Sequence, residues 1–411
     1  MKNILFVLFL TVFVGCKSDS KEKNQSVSIK EDVTFLADDK LEGRQTGTKG
    51  EKAAAGYIAK RFKNLGLKEK GTQGYFQTFS FKPKTDPHQE VNYTVKDGDS
   101  TITGTNVVGF LDNQAEHTII IGAHYDHLGY GAEGSLYRGE TKAIHNGADD
   151  NASGVAVLLS LADKLKSANK GNNYLFMAFS GEEMGLLGSN YFTKNPTIDL
   201  KKANYMINMD MVGRLKQDST LAVYGVGTSP ILKQVVKANN SKFKIIENES
   251  GVGPSDHTSF YNSDLPVLHF FTGQHEDYHK PGDDSEKLNY KGMATISDYI
   301  FEIITDLDDN GKLPFRKTKN ESEDLPRFKV GLGVIPDYLF DGEGMRIDGV
   351  SEEKPAQKAG LQKGDIVIKL GENSVTDMES YMRALSTYDK GDKTKVVVKR
   401  GDEEVEALIE F

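Results

Sequence analysis

The sequence predicts an α/β fold with a mostly parallel central sheet flanked by helices, followed by a small β-rich domain. Three apolar runs carry the first prediction: Thr118 to Gly122, Tyr174 to Phe179 and Tyr205 to Met209. They are rich in Ile, Val, Phe and Tyr and bounded by glycine or polar residues, which is the pattern of buried strands. Between the first two, Val155, Leu158, Leu159, Ala162 and Leu165 recur at helical spacing on one face. Strand, helix, strand reads as a βαβ unit and so as a parallel sheet.

Each run leads to side chains suited to chemistry. His124 and Asp126 follow the first, Glu182 and Glu183 the second, and Asp210 the third. In open α/β sheets, sites collect beyond the carboxyl ends of the strands. Residues far apart in sequence are therefore expected to converge at one edge. Asp150, ahead of the helix, and His279, further along, complete the set.

Zinc accepts imidazole nitrogen and carboxylate oxygen, and catalysis needs an open position. Two metals about 3.5–4 Å apart can share a carboxylate and a water. Two histidines and three carboxylates supply one imidazole and one terminal carboxylate per metal, with one carboxylate shared. Singly, each piece has a plainer reading. A His-x-Asp after a strand is often a polar pair. Glu-Glu at a helix start complements the macrodipole. Asp-Asp-Asn before a helix caps it. Their ordered combination favours the metal site. Among the other histidines, His88, His117 and His275 read as surface or loop residues. His127 and His145 flank the site in sequence and could line it, and His257 and His269 read as structural support.

The ordered phrases Gly122-Ala123-His124-Tyr125-Asp126, Ala148-Asp149-Asp150-Asn151, Ser180-Gly181-Glu182-Glu183, Asn208-Met209-Asp210 and Asp277-Tyr278-His279 resemble the co-catalytic zinc aminopeptidases of peptidase family M28. The likeness spans roughly residues 30 to 310. It implies two zinc ions, with His124 and Asp210 on one, Glu183 and His279 on the other, and Asp150 bridging. Glu182 would be the general base for the bridging water. Asp126 would fix the His124 tautomer, and Tyr278 would donate to the oxyanion. The implied activity is removal of N-terminal residues from peptide substrates. A carboxypeptidase, or a glutaminyl cyclase working with one zinc, is the alternative on this scaffold. A non-catalytic protein that binds peptides through its C-terminal domain is the second. Side-chain preference is left to loops 127–146 and 250–258.

Residues 30 to 67 look like the opening helices of the domain at 30–307, and 75 to 111 suggest short strands. Residues 308–328, with Asp-Asp-Asn-Gly, Pro314 and Pro326, have linker composition. Residues 329–411 then resemble a PDZ domain. Gly331, Leu332, Gly333 and Val334 look like its carboxylate-binding loop, which implies C-terminal peptides as partners. Ala359-Gly360-Leu361-Gln362-Lys363-Gly364-Asp365 is the more specific match. Ser380 to Leu385 would border the peptide groove, and Lys395 to Lys399 would form a late strand.

The chain has 411 residues, 37% hydrophobic and 27% charged, enough for two or three domains with a substantial core. A net charge of −9 with no long basic run argues against nucleic acid as a partner. Residues 1–16 read as a signal peptide. Lys2 precedes an apolar stretch, Ile4 to Val14, too short to span a bilayer. Phe13-Val14-Gly15-Cys16 resembles a bacterial lipobox, which implies lipidation at Cys16, the only cysteine. Residues 17–29 have the composition of a flexible tether. The bacterial cell envelope, reached by a lipid anchor alone, is the expected location.

Overall fold

A computed structural model of the protein describes residues 28–83, 93–94, 99–131, 134–168, 170–319, 329–340, 342–351 and 353–411. The signal segment with Cys16, most of the tether, and His88 lie outside the described residues.

Nine strands form the larger sheet: β1 (Lys68–Glu69), β2 (Phe76–Phe81), β3 (Ile102–Leu111), β4 (Thr118–His124), β5 (Asn173–Phe179), β6 (Ala203–Met209), β7 (Thr220–Tyr224), β8 (Lys244–Asn248) and β9 (Val267–Phe271). Their order is β1-β3-β5-β4-β6-β9-β7-β8, with β2 on β3. The centre, β5-β4-β6-β9, is parallel. The flanks join it antiparallel, through β3 on β5 and β7 on β9. The three predicted runs are β4, β5 and β6, side by side at the centre.

These runs are continuously apolar because both faces are covered. Side chains alternate between faces along a strand. Ile119, Ile121, Tyr174, Phe176 and Ile207 enter one core, and Ile120, Leu175, Met177 and Met206 enter the other. A helix over residues 28–36 (α1) and α2 (Lys49–Asn64) supply the first core, joined by α3 (Gly154–Leu165). On the opposite face lies α4 (Leu187–Lys194). Helix α5 (Leu232–Ala238) follows β7, α6 (His257–Tyr261) joins α4, and α7 (Tyr290–Leu307) packs beside α3.

All five periodic apolar residues of α3 are buried. Its first residue, Gly154, is required by close approach. A Cβ there would lie 2.5 Å from the Met209 carbonyl oxygen at the end of β6. The Asn289 side chain caps α7 by accepting from the Gly292 amide at 2.9 Å. Its Ile296, Ile300, Ile303 and Ile304 are fully buried, each stabilising the fold by about 1.5–3 kcal/mol.

The stretch expected as a linker begins anchored. Leu313 is buried in the main core and its amide donates to Asn204 at 2.8 Å. Thr318 donates to the Tyr261 hydroxyl through its amide at 2.8 Å. Residues 320–328 lie outside the described ones.

The smaller domain is an antiparallel sheet ordered β10-β11-β12-β14-β15, with β13 on β12. These are Val334–Pro336, Met345–Val350, Ile366–Leu370, Asn373–Ser374 (β13), Lys393–Arg400 (β14) and Glu403–Glu410 (β15). Helix α8 is Pro355–Lys358 and α9 is Met378–Leu385. The predicted helix and late strand fall within α9 and β14. Helix α9 starts sharply because Asp377 and Ser380 form a reciprocal capping box. Its own core includes Leu332, Ile347, Val367, Val396, Tyr381 and Leu385. Among the described residues no helix is long and apolar enough to cross a membrane.

Candidate active site

Because β5, β4, β6 and β9 run parallel, their carboxyl ends share one edge, and the predicted residues meet there. His124 ends β4, and Asp210 directly follows β6. Glu182 and Glu183 lie in the turn after β5, and Tyr278 and His279 in the loop beyond β9. A tight turn, Ala148–Ser153, delivers Asp150. In that turn Asn151 serves the expected local role. Its Oδ1 accepts from the Gly154 and Met211 amides at 2.9 and 3.2 Å. Asp150 is thereby free to face the site.

Asp150 stands between the two histidines, with His124 Nε2 3.3 Å from one oxygen and His279 Nε2 3.3 Å from the other. His124 Nε2 is also 3.3 Å from Asp210, and His279 Nε2 is 3.2 Å from Glu183. His279 Nδ1 donates to the Gly134 carbonyl at 2.9 Å, so Nε2 is the nitrogen that faces the carboxylates and the one that could take a metal in place of its proton. Glu182 approaches His124 Nε2 at 4.0 Å. Two groups with metal-binding spacing result: His124, Glu182 and Asp210, and His127, Asp150 and Glu183. His279 lies against the same two carboxylates as His127, so the second group has two candidate imidazoles.

Asp126 sits behind both His124 and Glu182. Its carboxylate is 3.6 Å from His124 Nδ1 and accepts the Glu182 amide at 3.1 Å and the Thr46 hydroxyl at 3.0 Å. The Tyr278 ring stacks on His279 with centroids 3.9 Å apart. Burial and the nearby carboxylates push its phenol well above the usual range, so it remains a hydrogen-bond donor.

Crowding four carboxylates, Asp150, Glu182, Glu183 and Asp210, creates a demand for positive charge. Their ion-pair partners within 4 Å are imidazoles. Burial opposes protonation of His279, yet Glu183 and Asp150 overcome it and push the ring up to about 11. Glu182 is pushed well above the carboxylate range by burial, with Asp210 and Glu183 adding to it against His124. Divalent cations would satisfy this demand, and the mixed imidazole and carboxylate donors suit zinc.

Several supporting residues escaped the sequence reading. His127, for which flanking and lining the site are both open from the sequence, is buried with Nδ1 2.7 Å from Glu183. His275, expected in a loop or at the surface, is in a loop but buried, 3.2 Å from Asp149. Asp283 accepts the Asp149 and Asp150 amides at 2.9 and 3.0 Å. Arg44 is buried and donates to four carbonyls around the site. Only the His124-Tyr125-Asp126-His127 spacing gave a usable signal. His257 and His269 behave as expected of structural residues. They stack at 4.4 Å, and burial holds His269 down at about 4.

Residues 106–304 match the model of peptidase family M28, and residues 315–411 match that of the PDZ domain. The two matches and the paired donor groups decide the assignment. Residues 106–304 are an M28 peptidase domain. A PDZ domain follows it. The chain is 30% identical over 172 residues to a probable leucine aminopeptidase of Trichophyton verrucosum, covering 39% of this chain and 44% of that one. It is 27% identical over 216 residues to aminopeptidase YwaD of Bacillus subtilis, covering 49% and 44%. The chain spans about half the length of the curated relatives it matches. Among solved structures, a zinc aminopeptidase from Bacillus subtilis aligns with a TM-score of 0.54 at 17% identity, over 72% of this chain and 96% of that one. A Porphyromonas gingivalis glutaminyl cyclase aligns at 0.54 and 18%, over 68% and 98%. At these identities the structures establish the fold of the M28 domain.

A cavity of about 470 Å³ opens onto Asp150, Glu182, Glu183 and Asp210 of the M28 domain. Tyr224 and Phe271 form apolar wall on the same domain. The predicted PDZ loop does not line this cavity. Of its four residues, Leu332 is fully buried in the PDZ core.

Proposed function

We propose that the protein is an aminopeptidase that holds two zinc ions. The observation that carries this is the Asp150 carboxylate, set 3.3 Å from His124 on one side and 3.3 Å from His279 on the other. His124 and Asp210 would hold one ion, His279 and Glu183 the other, and Asp150 would span them. When bound, the pair supplies Lewis acidity at a peptide carbonyl and makes water more acidic.

The remaining work falls to the chain. Glu182 lies next to both donor sets, and its burial raises its affinity for a proton. That suits a base that accepts a proton and then delivers it to the departing amine. Asp126, bonded to the Glu182 amide and facing the His124 ring, fixes base and ligand together. Tyr278, held protonated beside the carboxylates, would donate to the developing oxyanion. The acidic edge suits a free substrate ammonium. The names of the relatives in Trichophyton and Bacillus agree with this reading. Two donor sets favour it over a one-zinc cyclase.

The test is zinc stoichiometry on protein lacking residues 1–16, paired with aminoacyl-nitroanilides and their N-acetylated counterparts. Two zincs and cleavage of free-amine substrates alone are expected. One zinc, or cleavage of the acetylated series, overturns the reading. Lipid anchoring through Cys16 in a bacterial envelope is also proposed, on the sequence of residues 1–16. Metabolic labelling with a palmitate analogue, abolished in Cys16→Ser, tests it.

A further inference from the structure

The cavity at the metal-binding edge has a second wall, and that wall belongs to the PDZ domain. Tyr338 and Phe340, from the loop after β10, line it together with Met378, Glu379 and Met382 of α9. The loop is seated, not draped. Leu339, between the two aromatic residues, is 4% exposed although it lies outside the PDZ core cluster. It rests on Gly273, just beyond β9, where a Cβ would meet the Leu339 side chain at 2.8 Å. Gly273 has φ +95°, so a side chain there is disfavoured on backbone grounds too. Asp337 fixes the base of the loop by accepting from Arg346 Nε at 2.9 Å. Lys216 of the M28 domain reaches across to Asp348 at 3.3 Å and Asp337 at 3.8 Å. The Arg346 guanidinium lies 4.6 Å from the centre of the Phe340 ring.

The PDZ groove itself is poorly arranged to hold a peptide on its own. Leu332, in the middle of the predicted carboxylate loop, is fully buried in the PDZ core. A Cβ on Gly333 would lie 2.1 Å from the Lys354 side chain, which packs directly against that residue of the loop. The neighbouring strand, β10, has three residues and ends at Pro336, which has no amide to offer an added strand.

We propose that the PDZ domain is a wall of the substrate site: Tyr338, Phe340, Met378 and Met382 close the metal-binding cleft into a chamber that selects short peptides with apolar side chains. The substrate class rests on the aminopeptidase reading; the shared chamber does not. A volume of about 470 Å³ falls within the range of small-molecule sites, about 300–1,000 Å³, and holds a few residues. Aromatic and methionine side chains on the PDZ side face Tyr224 and Phe271 on the other, so apolar contact comes from both domains.

The chain contains no tryptophan, so Tyr338→Trp introduces a single indole into the wall. Tyr388→Trp, beside Phe411 and outside the cavity lining, is the control. Both are made in the Glu182→Gln background and titrated with leucyl-leucine. A saturable emission change at position 338 and none at 388 is expected. In the active protein, Tyr338→Ala with Phe340→Ala should reduce the preference for leucyl-leucine over a leucine-initiated decapeptide by roughly tenfold, with zinc content unchanged. Hydrolysis of leucyl-leucine with a silent indole at 338, or a length preference unmoved by the double variant, overturns the shared chamber and leaves the aminopeptidase reading standing. An indole response from a protein that hydrolyses no free-amine peptide overturns the aminopeptidase reading and leaves the chamber.

Discussion

His127 donates its Nδ1 proton to Glu183 across 2.7 Å, while its buried Nε2 has no hydrogen-bond partner among the described residues. Burial and Asp150 push Glu183 up, but His279 and the His127 bond overcome them and hold the carboxylate down at about 2. The outer nitrogen of His127 has no acceptor to hold a proton, whereas the outer Nδ1 of His279 is held by the Gly134 carbonyl, so His279 is the ring arranged to offer its inner nitrogen to a metal. His127 is therefore a positioning residue for Glu183. His127→Phe should weaken zinc binding by about 10–100-fold, with two zincs restored at saturating metal and partial recovery in His127→Gln. His279→Phe should leave one site unfilled at the same concentrations. Competition titration against a chromogenic chelator reads both. Loss of a full equivalent in His127→Phe at saturation would make His127 a ligand instead.

Glu182→Gln removes the proton acceptor and keeps the shape of the side chain. Its turnover should fall by at least about 10²–10⁴-fold. Bound zinc should stay at the wild-type level, since in the proposed arrangement Glu182 holds neither ion. Steady-state kinetics on a leucyl substrate and elemental analysis of the same sample separate the two effects. A variant that keeps its activity removes Glu182 from the mechanism.

The parallel centre of the sheet was legible because β4, β5 and β6 are apolar on both faces and each ends at a conspicuous polar residue. The antiparallel flanks were less so. β7 and β8 are short strands whose pairing depends on neighbours, not on their own pattern. The convergence of the five candidate donors and Glu182 was legible because each sits at a strand end or in a distinctive phrase. Arg44 and Asp283 were not, because an arginine or aspartate in a loop carries no sign that it will be buried. Their work is bonding backbone groups from distant segments, a tertiary property. The contact of Leu339 with Gly273 is of the same kind. Nothing in either local phrase points to the other domain.

Arg44 shows what such a hidden residue contributes. It donates to the carbonyls of Leu36, Tyr125, Asn146 and Gly147 at 2.5–2.9 Å, tying α1, the exit of β4 and the Asp150 turn together. Burial pushes the guanidinium down to about 10, against the pull of Asp126 and Asp150, so it stays charged at neutral pH. Arg44→Ala would leave these buried acceptors without a donor. The expected loss is about 3–5 kcal/mol, or a fall in Tm on the order of 10 °C. Arg44→Lys should recover little, since an ammonium cannot span four acceptors in that fork. Scanning calorimetry on the zinc-loaded protein measures it. A lysine variant with wild-type Tm would show that charge alone, not the fork, holds these segments.

Asp365 gives the PDZ domain a pH-dependent tie. Burial pushes its carboxyl up, but Arg400 and the Gln362 amide overcome this and hold it below the usual range. The bonds are Arg400 Nε and Nη2 to the two carboxylate oxygens, each 2.7 Å, and the Gln362 amide at 2.9 Å. A depressed folded pKa means the stabilisation is fully present above the unfolded value, about 3.9, and is lost as pH falls through the lower folded value. Arg400 is partly exposed, so solvent screening reduces its contribution, and Arg400→Ala should lower stability modestly at pH 7. As the pH drops below about 4 the wild-type advantage should shrink towards what the bond from the Arg400 guanidinium to the Gly360 carbonyl supplies. Denaturation of both proteins across this range decides the matter, because a gap that stays constant in acid would mean that Arg400 acts through the carbonyl and not through Asp365.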